Sequence, residues 1–371
     1  MQVLDGEFPI NFDVKKSTIN KVQIKITGSN SENKTNVNTF DNVKMNNKDD
    51  FQKFFKEIDS KIIEKIEVED YIGKGSESVV YRGYDKQAKS KLTLKMILKK
   101  NKSFKNLNEI INSMKLKNKN IILYYGHIIN AKFDIIMMEY AKFGNLIHFT
   151  KNILKTNYLS ESLLCYFTYQ ILNGLKYCHT CKLVHLDIKP QNIVVDDSLN
   201  AKLIDFSISL SYAKVKLEEI KLPLMGTNFY IAPEIIKGKS IKIKDLQKID
   251  LYGLGVTLHF LFFGAFPFGL KYEDSKKYDI INEKITNNSP IDKDFTAIKY
   301  SNSFKDFLEK LLEKDINKRI NINEALDHPW VKGAEILFDE KQKINNINNF
   351  LINLESDNFA SFNEYIQIKN K

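Results

Sequence analysis

The segment that most constrains this chain is residues 184–192, V-H-L-D-I-K-P-Q-N. It places the carboxylate of Asp187 two residues before the ammonium of Lys189 and five residues before the amide of Asn192. A carboxylate can accept a proton from a hydroxyl, an ammonium can hold a phosphoryl group, and an amide oxygen can bind Mg²⁺. Taken alone, the string also fits a polar turn between two strands, in which Asp and Asn satisfy nearby backbone groups.

A second motif follows at residues 201–207, A-K-L-I-D-F-S, where a short apolar run leads into Asp205. The two motifs resemble the catalytic loop and the D-F-G motif of protein kinases, and they occur in the order and at the separation usual in that family. The resemblance implies that Asp187 orients and deprotonates the acceptor hydroxyl and that Lys189 stabilises the transferred phosphoryl group. It also implies that Asn192 and Asp205 bind Mg²⁺.

Residues 71–80, Y-I-G-K-G-S-E-S-V-V, contain the spacing G-x-G-x-x-S-x-V within a β-rich region. Small residues at such spacings let backbone amides approach phosphates. A dinucleotide-binding Rossmann fingerprint is disfavoured because a strand, and not a helix, is expected to follow. The segment is similar to the glycine-rich loop of protein kinases, with Ser78 in place of the third glycine. The resemblance assigns ATP binding to Ile72, Gly73, Lys74, Gly75, Ser76, Glu77, Ser78 and Val80.

Further positions of the kinase pattern also concern the nucleotide. The alternating run L-T-L-K ends in Lys95, where the family has V-A-I-K, and Glu109 lies on a following segment with helical spacing. The resemblance pairs Lys95 with Glu109, so that the lysine binds the α and β phosphates of ATP. The apolar run that ends at Met138 resembles the strand entering the kinase hinge. It implies that Met138 is the gatekeeper and that Glu139 and Ala141 offer backbone groups to adenine.

Residues 226–234, G-T-N-F-Y-I-A-P-E, resemble the end of the activation segment of Ser/Thr kinases. By this resemblance Thr227 bridges the catalytic Asp and Lys, which favours Ser and Thr over Tyr as the acceptor. Asp250 is expected to brace the backbone of the catalytic loop. Arg319 is expected to pair with Glu234.

The motifs together imply a fold of the α+β class, the bilobal protein kinase fold, with a small β-rich N-terminal lobe and a larger, mostly helical C-terminal lobe. The predicted kinase domain spans residues 66–331 and divides into lobes at 66–140 and 141–331. Residues 1–65 are expected to form an extension with a hairpin, an Asn- and Lys-rich loop and an amphipathic helix. Residues 332–371 are expected to form a tail with an amphipathic helix. Either extension offers a surface for a regulatory partner, although packing on the kinase domain is the simpler expectation.

Composition limits the other classes of function. The 371-residue chain has a formal net charge of +10, but its lysines are scattered among Asn and Ile, so no nucleic-acid partner is expected. No apolar run reaches 18 residues, and the first 13 residues lack signal-peptide features. These observations predict no membrane segment and a cytoplasmic location, with the nucleus as the alternative. The three cysteines lack metal-ligand spacing.

Three departures from the family pattern lead to predictions. Leu186 replaces the Arg that receives an activation-loop phosphate, so activity is predicted not to depend on phosphorylation of that loop. Ser207 replaces the Gly of D-F-G, and the loss of easy access to positive φ predicts a stiffer Asp-Phe flip. Arg-directed kinases carry acidic residues at positions that here are Asn145, Gln191 and Phe260, so no preference for a substrate Arg is predicted.

The sequence therefore predicts a serine/threonine protein kinase that uses ATP and Mg²⁺ and acts on protein substrates. A pseudokinase scaffold with the same fold is the principal alternative, kept open by the substitutions at three motif positions. Catalysis is favoured because all five residues that the chemistry needs are present: Lys95, Glu109, Asp187, Asn192 and Asp205. A small-molecule or lipid kinase is disfavoured by residues 226–234, which in the family form a platform for a peptide.

Overall fold

A computed structural model of the chain describes residues 65–75, 78–98, 104–129, 133–275, 277–291, 299–343 and 346–356. Its first strands are β1 (Ile66–Lys74), β2 (Ser78–Asp85), β3 (Ser90–Leu98), β4 (Tyr124–Ile129) and β5 (Phe133–Glu139). They form one antiparallel sheet in the order β1-β2-β3-β5-β4. The period of two is clearest in β2, where Val79, Tyr81 and Gly83 are buried and the residues between them are partly exposed. One face of this strand therefore contributes to the core of the small lobe.

Helix α1 (Phe104–Lys115) packs against strand β4. Its Ile110 is buried in a cluster with Ile122, Tyr124 and Ile136. The neighbouring Glu109 is also buried, with 4% of its surface exposed. Packing of the apolar residue thus fixes the position of a carboxylate that faces the sheet.

The rest of the described chain is mainly helical. The helices are α2 (Leu146–His148), α3 (Glu161–Thr180), α4 (Pro233–Ile236), α5 (Lys248–Phe263), α6 (Tyr278–Asn287), α7 (Asn302–Leu311), α8 (Ile322–Asp327), α9 (Pro329–Lys343) and α10 (Ile347–Glu355). Ser160 caps the N-terminus of helix α3, and its hydroxyl accepts a hydrogen bond from the Leu163 amide. Helix α5 is apolar around almost its whole circumference and is buried along nearly its whole length, as expected of a helix at the centre of a core.

Short strands surround the segment that contains the predicted catalytic residues. They are β6 (Leu183–Val184), β7 (Ile193–Val195), β8 (Ala201–Leu203), β9 (Leu210–Ser211), β10 (Glu219–Lys221) and β11 (Ser240–Lys242). Antiparallel pairing joins β7 to β8, β6 to β9 and β10 to β11. The β7–β8 pair brings Asn192 beside Ile204, whose amide donates to the Asn192 carbonyl at 3.0 Å. Asn192 and Asp205, the two predicted metal-binding residues, therefore lie close together at the open end of the β7–β8 hairpin.

The predicted fold is confirmed: an antiparallel five-stranded lobe precedes a helical lobe. The tail differs from the single helix that its periodicity predicts, because it contains α9 and α10, and the backbone of Asn346, whose side chain caps α10, is extended. Leu337, Leu351 and Leu354 are buried in the core of the helical lobe. Helix α9 also runs through the predicted domain boundary at residue 331. Ile344, one of the apolar residues at helical spacing in the tail, residues 357–371 and the predicted elements of residues 1–64 lie outside the described residues.

No helix within the described ranges is long and apolar enough to cross a membrane.

Candidate active site

The catalytic segment is held by Asp250 at the start of helix α5. The Asp250 carboxylate accepts hydrogen bonds from the backbone amides of His185 and Leu186 at 2.9 and 2.8 Å. It also contacts His179 Nε2 at 2.8 Å. Leu186 has a φ of 68°, a conformation that costs a residue with a side chain. The buried carboxylate therefore holds a strained turn, as the sequence predicts for Asp250.

Asp187 is at the centre of a network of hydrogen bonds. Its Oδ1 accepts from the Thr227 hydroxyl at 2.7 Å and from the Thr227 amide at 3.1 Å. Its Oδ2 accepts from Lys189 Nζ at 2.6 Å and from Asn192 Nδ2 at 2.9 Å. Lys189 also donates to the Thr227 hydroxyl at 2.6 Å. The structure thus brings together all four of these predicted residues, and Thr227 bridges Asp187 and Lys189.

The end of the activation segment reaches this network through a close backbone approach. Gly226 has a φ of 105°, and a Cβ there would lie 3.1 Å from the Leu186 carbonyl oxygen. Glycine is therefore required both by conformation and by space. Farther along, Glu234 forms a bidentate pair with Arg319 at 2.8 and 2.9 Å. Both side chains are buried, so this predicted pair anchors the segment to the helical lobe.

Lys95 on β3 meets two carboxylates. Its Nζ lies 2.7 Å from Glu109 Oε1 and 3.3 Å from Asp205 Oδ1. Burial disfavours the charge on Lys95, but the carboxylates of Glu109 and Asp205 outweigh it and hold the pKa of the ammonium above its ordinary value. Burial likewise opposes ionisation of Asp205, but the charge of Lys95 and the hydroxyl of Ser207 lower its pKa to about 2. The lysine and this aspartate are therefore both ionised at neutral pH.

The residues predicted to bind Mg²⁺ suit that ion chemically. Asp205 has a φ of 66°, and 31% of its side-chain surface is exposed. Asn192 uses its amide nitrogen to donate to Asp187, which reserves the amide oxygen for a cation. A carboxylate and an amide oxygen are ligands that Mg²⁺ prefers. The described ranges contain no group of three or more His, Cys, Asp or Glu side chains that could hold a metal ion. Mg²⁺ bound by these two residues would be coordinated in addition by phosphate oxygens and water.

The predicted glycine-rich loop connects β1 and β2. Gly73 pairs with Val80 and Lys74 pairs with Val79, and the Gly75 amide donates to the Ser78 carbonyl at 2.8 Å. Ile72 is 46% exposed. Ser76 and Glu77 lie outside the described residues. The described residues on the two sides of the loop are therefore paired as an antiparallel hairpin, with Ser78 at the start of β2.

The predicted hinge follows strand β5. Met138 is 9% exposed and pairs with Thr93 of β3. The Glu139 amide donates to the Leu123 carbonyl at 2.8 Å, and the Thr93 hydroxyl donates to the Glu139 carbonyl at 3.2 Å. Ala141 is partly buried and packs against the apolar cluster that contains Met138 and Ile110. Thr93 was not singled out from the sequence, because nothing in a strand pattern indicates a hydroxyl bond to a distant carbonyl.

Two asparagines that the sequence did not reveal also touch the site. Asn108 and Asn112 flank Glu109 on helix α1, and their amide groups donate to backbone carbonyls of the activation segment just after Asp205. Their spacing of four residues places them on one helix face. That spacing is the only sequence signal that could have identified them.

The sequence of this chain was compared with models of known protein families and with known proteins. A family model described as "Protein kinase domain" matches residues 66–331. The chain belongs to the protein kinase family. Together with its similarity to Ser/Thr kinases, the match identifies it as a serine/threonine protein kinase.

Three relatives illustrate the similarity. "Aurora kinase" of Dictyostelium discoideum is 26% identical over 275 residues, which is 73% of this chain and 66% of the relative. "Serine/threonine-protein kinase SRK2B" of Arabidopsis thaliana is 31% identical over 271 residues, which is 72% of each chain. "Aurora kinase B" of Xenopus tropicalis is 29% identical over 266 residues, or 70% of this chain and 68% of the relative. The shared region thus covers between 66% and 72% of each relative.

Proposed function

We propose that this kinase transfers the γ-phosphoryl group of Mg-ATP to Ser or Thr hydroxyls of proteins, without requiring phosphorylation of its activation segment. The observation that carries the proposal is the joint placement of Asp187, Lys189 and Thr227 in one network. Lys95 contacts Glu109 and Asp205 at the same time. These two arrangements are what an active phosphoryl-transfer site requires.

Each residue contributes to the proposed reaction through its observed contacts. The Asp187 carboxylate is held by Thr227 and Asn192, so it can orient an acceptor hydroxyl and take its proton. Lys189, beside it, stabilises the negative charge of the transferring group. Lys95, kept charged by its carboxylate neighbours, binds the phosphates that remain on the nucleotide. Mg²⁺ held by Asn192 and Asp205 would neutralise the charge that develops on the phosphate oxygens.

Independence from activation-segment phosphorylation is supported by the lack of an arginine that could bind a phosphate on this segment. Leu186 replaces the usual Arg and is 8% exposed. The sequence contains only two arginines, Arg82 and Arg319, and each is already paired with carboxylates. Arg is the side chain that binds phosphate in a bidentate manner. A phosphate on the activation segment would therefore find no free Arg partner.

The sequence of the segment points the same way. Residues 213–226, A-K-V-K-L-E-E-I-K-L-P-L-M-G, contain no Ser, Thr or Tyr. Before Thr227, whose hydroxyl belongs to the catalytic network, the hydroxyl groups of the segment lie at its beginning, where Ser209 donates to the His185 carbonyl at 3.1 Å and is buried. A phosphate on this hydroxyl would break an existing hydrogen bond and bury a charge.

The proposal is tested by phosphoryl transfer from labelled ATP after phosphatase treatment. Complete removal of phosphate is verified by mass spectrometry, and transfer is measured with Mg²⁺ and with excess EDTA. We expect the treated protein to keep at least half of its rate and EDTA to abolish transfer. A loss of more than about tenfold, reproduced by Ala or Phe at the early hydroxyl positions, would show that activity depends on phosphorylation. These positions are Ser207, Ser209, Ser211 and Tyr212.

Lys95→Met provides the matched test of nucleotide use. The substitution preserves an unbranched side chain but removes the ammonium that meets Glu109 and Asp205. We expect transfer to fall by about 10²-fold or more. Unchanged transfer by this variant would contradict the assignment of Lys95 to the nucleotide phosphates.

A further inference from the structure

We propose that Asn108 and Asn112 form an amide clamp, defined as these two side chains and the carbonyls they bind, which holds the activation segment in its active position without a phosphate. The inference rests on the proposed phosphorylation-independent activity and supplies a structural cause for it. In this account the two asparagines are positioning residues, because they act through the neighbours of Asp205 and do not touch the reacting groups.

The clamp consists of several short contacts. Asn108 Nδ2 donates to the carbonyls of Ser207 and Ser209 at 2.9 and 3.0 Å. Asn112 Nδ2 lies 3.4 Å from the Ser209 carbonyl and 3.5 Å from the Phe206 carbonyl. It also lies 3.3 Å from Asn108 Oδ1, which links the two side chains. The amides thus bind the three carbonyls at positions 206, 207 and 209, immediately after the predicted metal ligand.

The helix that carries the clamp also carries Glu109, the partner of Lys95. A shift of helix α1 away from the sheet would therefore break the ion pair and the clamp together. Asn112 is buried, with 3% of its surface exposed, so carbonyls that lost its amide would also be shielded from water. Breaking such bonds without replacement is costly. The clamp consequently couples the position of helix α1 to the position of the activation segment.

The contacts continue from the clamp to the catalytic segment. Ser209 accepts from both asparagines through its carbonyl and donates its hydroxyl to the His185 carbonyl at 3.1 Å. The rings of His185 and Phe206 lie 4.9 Å apart, and His185 Nε2 lies 2.9 Å from the Ile204 carbonyl. Helix α1, the activation segment and the catalytic segment are therefore joined through the amide groups of the two asparagines and the hydroxyl of Ser209. No cation or phosphate is needed at any of these contacts.

The test compares the wild type with an Asn108→Leu/Asn112→Leu variant. Leu has the same branched arrangement of four side-chain heavy atoms as Asn and favours a helix more strongly, so the change removes amide donors without weakening helix α1. We expect kcat to fall by roughly tenfold as the active arrangement becomes less populated. The KM for ATP should stay within about twofold, because no nucleotide contact is removed. Asn108→Gln, which retains an amide group, should keep a larger fraction of the wild-type kcat than Asn108→Leu.

Asn120→Leu is the matched control. Asn120 is also a buried amide, and its Nδ2 donates to the Ala201 carbonyl at 3.0 Å, outside the clamp. We expect this variant to lose thermal stability while keeping the kcat of the wild type below its melting temperature. A clamp variant that loses only stability, like the control, would overturn the inference.

Hydrogen exchange separates failure of the clamp from failure of the proposed function. Amides of residues 206–211 should exchange at least about fivefold faster in the double Leu variant than in the wild type, whether or not the protein is active. Unchanged exchange and unchanged kcat would overturn the clamp. A wild type that transfers no phosphate would instead overturn the proposed function, while faster exchange in the variant would still support the clamp.

Discussion

Replacement of Arg319 by Met should strongly destabilise the helical lobe. The Arg319 side chain is fully buried. It donates to both oxygens of Glu234, to the Glu313 carbonyl at 2.9 Å and to the Lys248 carbonyl at 3.0 Å. Its guanidinium also lies over the ring of Tyr252 at 5.0 Å. The substitution would leave a buried carboxylate and two carbonyls without their donor.

The magnitude follows from this geometry. Removing one partner of a buried ion pair costs about 3–5 kcal/mol, because the remaining charge cannot reach water. For a domain of this size each kcal/mol lowers the melting temperature by about 2–4 °C. We therefore expect Arg319→Met to melt roughly 10 °C below the wild type in a thermal-shift assay. Urea unfolding would measure the loss of free energy directly.

Two further variants make this prediction specific. Lys332→Met removes a cation from an exposed pair with Asp327, in which 46% and 75% of the two side-chain surfaces are accessible, and should change stability by less than about 1 kcal/mol. Adding Glu234→Gln to Arg319→Met removes the uncompensated charge and should restore about 1 kcal/mol or more. An Arg319→Met protein within about 1 kcal/mol of the wild type would refute the reasoning.

Three other predictions concern pH, the tail and the substrate. The lowered pKa of Asp205 means that its ion pair contributes stability above pH 3.8 that is lost as the pH falls towards 2. The difference in unfolding free energy between wild type and Asp205→Asn, measured with urea, should therefore be constant from pH 5 to 7 and smaller at pH 3. Leu354→Ala, at a fully buried position of α10, should lower the free energy of unfolding by about 2–5 kcal/mol. Ile352→Ala, at a position of the same helix that is 62% exposed, should lower it by less than about 0.5 kcal/mol. Equal losses for the two variants would contradict the packing of α10. A peptide library should show no dominant Arg two or three residues before the acceptor, and a dominant Arg would disprove the prediction from the three uncharged positions.

The sequence predicts the proximity of the three residues in the catalytic segment because they belong to one short motif. Asp187, Lys189 and Asn192 lie within six residues, so one local turn brings their side chains together. The partner Thr227 is forty residues away, and its contact with Asp187 follows only from the family resemblance. Local spacing therefore predicts the residues, while knowledge of the fold predicts the contact.

Other contacts could not be predicted because they join segments that share no pattern. Asn108 meets the Ser209 carbonyl across 101 positions of sequence, and a backbone carbonyl has no sequence signature. Strands β10 and β11 are three residues each, too short to show a period of two. The sequence does not predict the extended backbone of Asn346 between α9 and α10, because the apolar residues on both sides keep a helical spacing.

The stiffer Asp-Phe flip expected from Ser207 follows from the family pattern, in which glycine occupies this position. The positive φ at the D-F-S motif belongs to Asp205, at 66°, and Ser207 is not among the residues with positive φ. Serine therefore occupies this position without backbone strain, and its hydroxyl helps to lower the pKa of Asp205. The predicted stiffness of the Asp-Phe flip stays a prediction.

The most direct test of the account is phosphoryl transfer from labelled Mg-ATP to the protein itself and to a generic Ser/Thr substrate, with wild type compared to Asp187→Asn. Both proteins should be stabilised thermally by Mg-ATP, because Asp187 does not belong to the predicted nucleotide-binding residues. We predict transfer by the wild type and a rate about 10²- to 10⁴-fold lower for the variant. Equal rates for the two proteins, or no transfer by a wild type that binds Mg-ATP, would contradict the assignment of catalysis to Asp187.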